Sequence, residues 1–203
     1  MFEAKQFESI NGVEGLSGKL MSEHYKLYEG YVKKANEIQE KLKTVDLSAA
    51  NATQSDLRAL KLGYSFAVNA IKSHELYFTN LSGKGGQPQG WLASEIEKTF
   101  GSYDNWLKDM KATGLAARGW VWFAFDWQNG SIFNYLGDAH DAFPIWHATP
   151  LVALDVYEHA YMMDYGVARA DYIDSFFKNL NWNQVEEFAS KLYMDKWTEN
   201  PAK

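Results

Sequence analysis

The sequence predicts an α+β fold: an N-terminal antiparallel helical hairpin, then a C-terminal domain with a small three-stranded antiparallel sheet surrounded by helices. Two long stretches carry apolar residues at three- and four-residue steps, a glycine-rich segment follows them, and the hydrophobic period then becomes that of strands. The chain has 203 residues, of which 46% are hydrophobic and 16% aromatic. It is therefore long enough to bury a sizeable core.

The two long stretches predict the helices of the hairpin. The first spans residues 16–42, and the second spans residues 57–81, where the apolar positions step 3-4-3-4-3-4-3 as in two packed antiparallel helices. His24 lies in the first apolar stripe and His74 in the second. A single histidine in such a stripe is more often a core residue than a ligand, but two facing helices could bring both imidazoles together.

A linker and a change of period mark the C-terminal domain. Residues 83–90 (GKGGQPQG) predict the division into residues 1–86 and 87–203. The predicted elements that follow are helices at 91–100 and 103–114, strands at 119–125, 131–135 and 151–154 with a turn at Asn129-Gly130, and helices at 172–180 and 184–193.

The stretch DVYEHAY, which begins at Asp155, carries the strongest functional pattern. The uncharged residues 150–154 predict a buried strand that ends where a helix begins. Asp155 and His159 are four residues apart, so both side chains can point at one spot, and a carboxylate beside an imidazole suits a metal ion. By itself, however, D-x-x-x-H is more often a helix cap with a nearby core histidine.

The whole string DVYEHAYMMDYGVARADYIDSFF resembles the signature of the iron/manganese superoxide dismutases, roughly D-x-W-E-H-A-Y-Y followed by D-Y, an Arg and D-Y-I. Three more segments resemble motifs of that family: HYKLYEGYV from His24, HELYFTNLSG from His74 and GWVWF from Gly119. The resemblance covers residues 15–192. It implies that one iron or manganese ion per subunit is held by His24, His74, Asp155 and His159, and that the enzyme converts superoxide to dioxygen and hydrogen peroxide.

The resemblance also implies roles for residues around the metal. Tyr31 corresponds to the gateway tyrosine that relays a proton, and His140 to the hydrogen-bond donor for solvent at the metal, although His140 alone could be a surface-loop histidine. The remaining implied roles are apolar walls (Trp120, Trp122), contacts near the metal or at a dimer interface (Tyr28, Tyr157, Glu158, Tyr161) and steering of the anionic substrate (Arg169, Lys26).

The sequence departs from the family pattern at four places. The usual N-terminal arm is replaced by residues 7–18, and Asn69-Ala70-Ile71 replaces a Gly-Gly-His before the second ligand. Tyr28 stands where the family has a histidine, with a spacing to Tyr31 that is one residue shorter. Tyr157 replaces the tryptophan of the metal motif. None of these changes removes a ligand, but they leave the metal preference open.

Composition limits the other functions. The absence of cysteine excludes disulfides, thiolate metal sites and cysteine nucleophiles, and it fits a reducing compartment. With no signal or membrane-spanning segment evident, we expect a cytoplasmic protein. The resemblance implies a homodimer or dimer of dimers that acts on a small molecule, superoxide. A net charge of −6 argues against nucleic acid. Two alternatives keep the metal site: a zinc hydrolase, and a metal-storing or scaffold protein without redox activity.

Overall fold

The computed structural model describes residues 1–81, 83–142 and 144–197 of the chain. Seven α-helices and three strands occur in this part. The helices are α1 (Gly18–Leu42), α2 (Asp56–Asn80), α3 (Gly90–Phe100), α4 (Tyr103–Ala116), α5 (Met162–Tyr165), α6 (Arg169–Lys178) and α7 (Trp182–Lys191), and the strands are β1 (Trp120–Asp126), β2 (Ile132–Gly137) and β3 (Ala148–Asp155). In the described part, no helix is long and apolar enough to cross a membrane.

The N-terminal half is a hairpin of two 25-residue helices. A serine begins each helix: the hydroxyl of Ser17 accepts a hydrogen bond from the backbone N–H of Leu20 at 3.1 Å, and that of Ser55 accepts one from Arg58 at 3.3 Å. These bonds satisfy backbone donors that the first helical turn leaves free. The apolar stripes of both helices are buried, which places His24 and His74 on the inner faces.

The sheet has the strand order β2-β1-β3, and both pairings are antiparallel. Six of the seven residues of β1 are buried, as expected for a central strand with helices on both sides. The register sets Trp120 opposite Asp155 on β3. Because these two residues are paired at one end of the sheet, the sheet presents an aromatic ring and a carboxylate at the same place.

One continuous hydrophobic core joins the two halves of the chain. The glycine-rich linker is part of this packing, since the backbone N–H of Gly83 donates to the carbonyl of Asn179 at 3.0 Å. A side chain at position 83 would collide with the backbone of Asn181. The division at residues 86 and 87 stays a prediction.

The predicted fold class is confirmed, and most element bounds agree to within three residues. The third strand is longer than predicted, because it pairs with β1 along its whole length and includes Asp155 as its last residue. Instead of the helix predicted to begin directly after this strand, the chain forms a short 3₁₀ turn, Glu158–Ala160, and the four-residue helix α5 follows it. Helix α7 ends at Lys191, two residues earlier than predicted, and Tyr193 adopts a left-handed conformation with φ of 60°.

Candidate metal centre

Four side chains from three parts of the chain meet at one point in the interior. His24 comes from α1, His74 from α2, Asp155 from the end of β3 and His159 from the turn that follows. Their nearest ligand atoms all lie within 4.8 Å of one another. Oδ2 of Asp155 lies 3.2 Å from Nε2 of His24, 3.1 Å from Nε2 of His159 and 3.6 Å from Nε2 of His74.

The hydrogen bond of His74 shows which nitrogen faces the centre. Its Nδ1 lies 2.7 Å from the carbonyl oxygen of Ala70, one turn earlier in α2, so Nδ1 must carry the hydrogen. Its Nε2 is then a lone-pair donor. That atom is buried and has no hydrogen-bond partner in the described part of the chain. It faces the other three side chains. An unpartnered buried nitrogen is costly unless something binds it.

The electrostatics keep three of the four groups, Asp155, His24 and His74, in the form that binds a metal. Burial alone would raise the pKa of Asp155, but the charge and hydrogen bonds of His159 and His24 outweigh it and hold that pKa below its usual range. Burial lowers the pKa of His24 and brings that of His74 to about 3, so both imidazoles are neutral at pH 7. The pKa of His159 is raised: burial would lower it, but the charge of Asp155 prevails.

The donor set therefore fits a first-row transition metal. Three imidazoles and one carboxylate suit iron, manganese or zinc, whereas softer ions prefer sulfur ligands. Metal binding requires neutral imidazoles and an ionised carboxylate. Burial favours the neutral form of His24 and His74, and the neighbouring histidines keep Asp155 ionised, whereas His159 would have to give up its proton to a metal ion.

A second group of side chains lies beside this centre. Nε1–H of Trp120 donates to Nδ1 of His140 at 2.9 Å, and Nε2 of His140 lies 3.0 Å from the hydroxyl of Tyr31. Because Nδ1 accepts a hydrogen bond, a neutral His140 carries its hydrogen on Nε2 and donates it to Tyr31. Burial brings the pKa of His140 to about 4, so the ring is neutral at pH 7. The hydroxyl hydrogen of Tyr31 is then left to donate elsewhere.

Comparisons with known proteins show which family the chain resembles, and that family binds a metal of the kind that this donor set fits. Residues 88–188 match the family model for the C-terminal domain of iron/manganese superoxide dismutases. The iron superoxide dismutase of Aquifex pyrophilus is 39% identical over 190 residues, which cover 91% of this chain and 89% of that relative. This chain belongs to the iron/manganese superoxide dismutase family. Iron superoxide dismutase of Aquifex aeolicus is 40% identical over 180 residues (86% and 84% of the two chains), and manganese superoxide dismutase 1 of Halobacterium salinarum is 32% identical over 178 residues (85% and 86%).

Aromatic residues named by the family motif enclose the centre. The ring of Trp120 meets that of His74 edge-on at 5.2 Å, and Trp122 stacks behind Trp120 at 6.0 Å. Tyr157, which replaces the motif tryptophan, stacks on His159 with ring centroids 5.3 Å apart. Its backbone N–H also donates to Oδ1 of Asp155 at 2.9 Å, so Tyr157 contacts both a ligand histidine and the ligand carboxylate.

Tyr28, which stands where the family has a histidine, forms a different set of contacts. Its hydroxyl donates to Oε1 of Glu75 at 3.0 Å and accepts from the backbone N–H of Lys5 at 2.8 Å. Burial is the main reason that the pKa of Tyr28 is raised to about 12. The hydroxyl thus ties the N-terminal segment to α2, whereas Tyr31, on the same helix, reaches His140.

The residues with expected interface or steering roles differ in their exposure to solvent. Glu158 is exposed, and Tyr161 is buried with its ring stacked on another tyrosine. Arg169 donates from Nε to the hydroxyl of Tyr161 at 3.1 Å and from Nη1 to the carbonyl of Ala117 at 2.8 Å. Lys26 is exposed and pairs with Glu23 at 2.7 Å. Arg169 therefore braces Tyr161, and Lys26 has a carboxylate neighbour.

Tyr172 and Tyr77 are two residues of the site that the sequence analysis did not single out. The hydroxyl of Tyr172 donates to the backbone carbonyl of Asp155 at 2.6 Å, and the hydroxyl oxygens of Tyr172 and Tyr77 are 3.2 Å apart. Both residues are fully buried. Tyr172 belongs to the D-Y-I part of the family motif, and this position was the available signal for its place beside the ligand.

Proposed function

We propose that this protein is a superoxide dismutase that converts superoxide to dioxygen and hydrogen peroxide, with His24, His74, Asp155 and His159 holding one iron or manganese ion. One observation carries the proposal: three imidazole nitrogens and a buried carboxylate oxygen meet within 4.8 Å in a chain of this family. No described feature favours the hydrolase or the storage protein over this reaction.

The reaction requires electron exchange and two protons. An iron or manganese ion held by the four ligands would supply the electron exchange. Asp155 contributes a full negative charge in a buried place, where it offsets cationic charge at the centre. Trp120 and Tyr157 cover His74 and His159 with apolar surface, which keeps bulk water away from the reacting groups.

We assign the supply of protons to Tyr31 and His140. His140 donates its Nε2–H to the oxygen of Tyr31 at 3.0 Å, which leaves the hydroxyl hydrogen of Tyr31 free to hydrogen-bond a substrate or solvent molecule. Burial and the charge of Asp155 raise the pKa of Tyr31, so its hydroxyl keeps its proton at neutral pH. We assign both residues as catalytic, and Trp120 as the residue that positions His140.

The decisive experiment is elemental analysis of the purified protein together with a superoxide assay. We expect about one iron or manganese ion per chain and dismutase activity, and His159→Ala should abolish the activity because it removes a ligand. The matched control is His147→Ala, which removes an exposed histidine outside the centre. Stoichiometric zinc, with no activity after reloading with either iron or manganese, would contradict the proposal.

We also propose that the protein is a homodimer, or a dimer of dimers, with Glu158, Tyr161 and Tyr28 near the interface. Glu158 is exposed beside the ligand His159, and the side chains of Met162 and Met163 that follow are 37% and 49% exposed. Adjacent exposed methionines next to a metal centre support a contact surface there. Glu158 would then approach a metal ligand of the partner subunit.

Sedimentation velocity tests this arrangement. Met163→Lys should shift the protein from dimer to monomer, because a charge would have to be buried at the contact. Leu47→Lys is the matched control, since Leu47 is 68% exposed in the loop between α1 and α2. A wild-type protein that sediments as a monomer would contradict the dimer.

Three further features of the protein are proposals as well: the approach of the substrate to the centre, the division of the chain into domains and the cellular location. We propose that Arg169 and Lys26 give the approach to the centre a positive contribution within a chain of net charge −6. We propose that the chain divides into an N-terminal domain of residues 1–86 and a C-terminal domain of residues 87–203. The lack of cysteine supports a reducing compartment, and we propose the cytoplasm, with an antioxidant role.

A further inference from the structure

The chain before α1 is fastened along both helices of the hairpin. Within residues 1–17, all of which the structure describes, the single element is the 3₁₀ turn Glu8–Ile10. Asn36 of α1 holds the backbone of Phe2 with two hydrogen bonds: Oδ1 accepts from the N–H at 2.8 Å, and Nδ2 donates to the carbonyl at 2.9 Å. Because chain termini are poorly ordered unless they are tied down, these bonds indicate a docked segment. We call residues 1–10 the N-terminal strap.

One hydroxyl group joins the strap to both helices that carry metal ligands. The hydroxyl of Tyr28, a fully buried residue, accepts from the backbone N–H of Lys5 at 2.8 Å and donates to Oε1 of Glu75 at 3.0 Å. Nζ of Lys5 pairs with the other carboxylate oxygen of Glu75. Tyr28 lies one helical turn after His24 on α1, and Glu75 directly follows His74 on α2. The strap therefore connects the two helices beside their ligands.

The strap also packs against a ring that contacts two of the ligands. The ring of Phe7 lies 5.3 Å from that of Phe78, which is fully buried on α2. The Phe78 ring in turn lies 5.2 Å from the imidazole of His24 and 6.2 Å from that of His74, measured between centroids. The hydroxyl of Ser9 donates to the backbone carbonyl of Phe78 at 3.1 Å. Because packed interiors transmit strain, a movement of the strap reaches both imidazoles through this one side chain.

Burial of the ligands makes the docking of the strap important for an ion at the centre. His24 is 1% exposed, and His74 and Asp155 are 0% exposed, so these side chains must move apart before an ion can leave. The strap is a terminal segment, and the side chain of Lys5 is 65% exposed, so its ion pair adds little to the docking. Segments held by few buried contacts open at the lowest free energy. Such an opening would remove the support of the side chains that brace the ligands.

We propose that the N-terminal strap holds α1 and α2 in the register that His24 and His74 require, and that it thereby slows the loss of the metal ion. Tyr28 is the central positioning residue, because its hydroxyl is bonded both to the strap and to α2. This inference rests on the proposed metal centre but not on the dismutase reaction. A protein that retains manganese without dismutase activity would contradict the proposed function and leave the test of the strap valid.

The release of manganese from the loaded protein into excess EDTA at neutral pH tests the proposal, with elemental analysis of desalted samples as the readout. Tyr28→Phe should release manganese about fivefold faster than the wild type, because it keeps the ring but loses the hydroxyl that joins the strap to Glu75. Phe7→Leu should also release it about fivefold faster, since it keeps apolar bulk but loses the ring contact with Phe78. The electron paramagnetic resonance spectrum of the bound manganese should change in both variants, because the ligand geometry changes.

Tyr64→Phe is the matched control. The hydroxyl of Tyr64 accepts from Nε2 of Gln39 at 3.1 Å, so it also joins α1 to α2, but it lies ten residues before His74, which is about 15 Å along the helix. This variant should keep the wild-type release rate and spectrum. Urea denaturation of the metal-free proteins measures whether the variants lose similar stability. A wild-type release rate in Tyr28→Phe, or an equal acceleration in Tyr64→Phe, overturns the proposal.

Discussion

At the scale of single residues, the position of one hydrogen atom organises the candidate active site. Trp120 can only donate through its indole nitrogen, so its 2.9 Å bond obliges Nδ1 of His140 to accept. The hydrogen of the neutral imidazole therefore lies on Nε2, next to the oxygen of Tyr31. Trp120 therefore does more than cover the site with apolar surface, because it selects the tautomer that makes Tyr31 a donor toward the centre.

The first prediction follows from this bond. Trp120→Phe keeps a ring against His74 but removes the indole donor, so His140 loses the partner that selects its tautomer. We expect dismutase activity to fall about tenfold or more with the metal content retained, and the pH profile to change as well. The matched control is Trp122→Phe, since Trp122 stacks on Trp120 and has no bond to His140. Equal losses in the two variants would contradict a positioning role for Trp120.

At the scale of secondary-structure elements, one buried amide joins the two halves of the centre. Asn80, the last residue of α2, accepts from the backbone N–H of Ala153 at 3.0 Å and donates to the carbonyl of Leu151 at 3.4 Å. Helix α2 carries His74, and β3 carries Asp155. The side chain of Asn80 therefore sets the distance between a helix and a strand that each supply a ligand.

The second prediction concerns this tie. Asn80→Ala would leave the buried N–H of Ala153 without its acceptor, so we expect the free energy of unfolding to fall by about 2 to 3 kcal/mol. Metal affinity should fall in the same protein, because the helix and the strand lose their common register. Urea denaturation and metal titration provide the two measurements. Asn69→Ala is the control, since the side chain of Asn69 bonds, among the described residues, only to the carbonyl of Ser65 in its own helix; an equal loss there would argue against the tie.

At the scale of the whole molecule, the burial of ionisable groups lowers the free energy of unfolding by an amount that depends on pH. In the metal-free chain burial lowers the pKa of His140 to about 4 and that of His74 to about 3. Both return to about 6.5 on unfolding. Between these values the unfolded chain binds more protons than the folded chain. Stability is therefore fully present above about pH 6.5 and is lost as the pH falls toward 4.

The third prediction is the size and origin of this loss. Together the two histidines should cost the metal-free protein on the order of 5 kcal/mol of unfolding free energy between pH 6.5 and pH 4, and His159, whose pKa is raised, offsets part of this loss. Denaturant titrations across that range measure it. His140→Gln should have a flatter dependence, because glutamine does not titrate, whereas the exposed His147→Gln should follow the wild type. Identical curves for all three proteins would show that buried histidines do not cause the effect.

Much of the fold and part of the candidate site could be predicted from the sequence. The apolar steps of three and four residues determine α1 and α2, and the uncharged run before Asp155 determines β3, because each pattern reflects which side of a single element is buried. The motif that begins at Asp155 identified the family. Each of these patterns lies within a short segment, so the order of the residues and the period of the apolar side chains are sufficient to predict it.

Tertiary structure alone decided which of these segments meet. His24, Asp155 and the loop that carries His140 are far apart in sequence, so their distances depend on how α1, α2 and the sheet pack. The bond from Trp120 to His140, the tie through Asn80 and the contact of Tyr172 with the carbonyl of Asp155 all join different elements. Tyr28 and Tyr31 lie one turn apart on α1, yet one bonds Glu75 and the other His140. Periodicity gives the buried face of a helix, but the partner of each buried polar group is set by the element that packs against it.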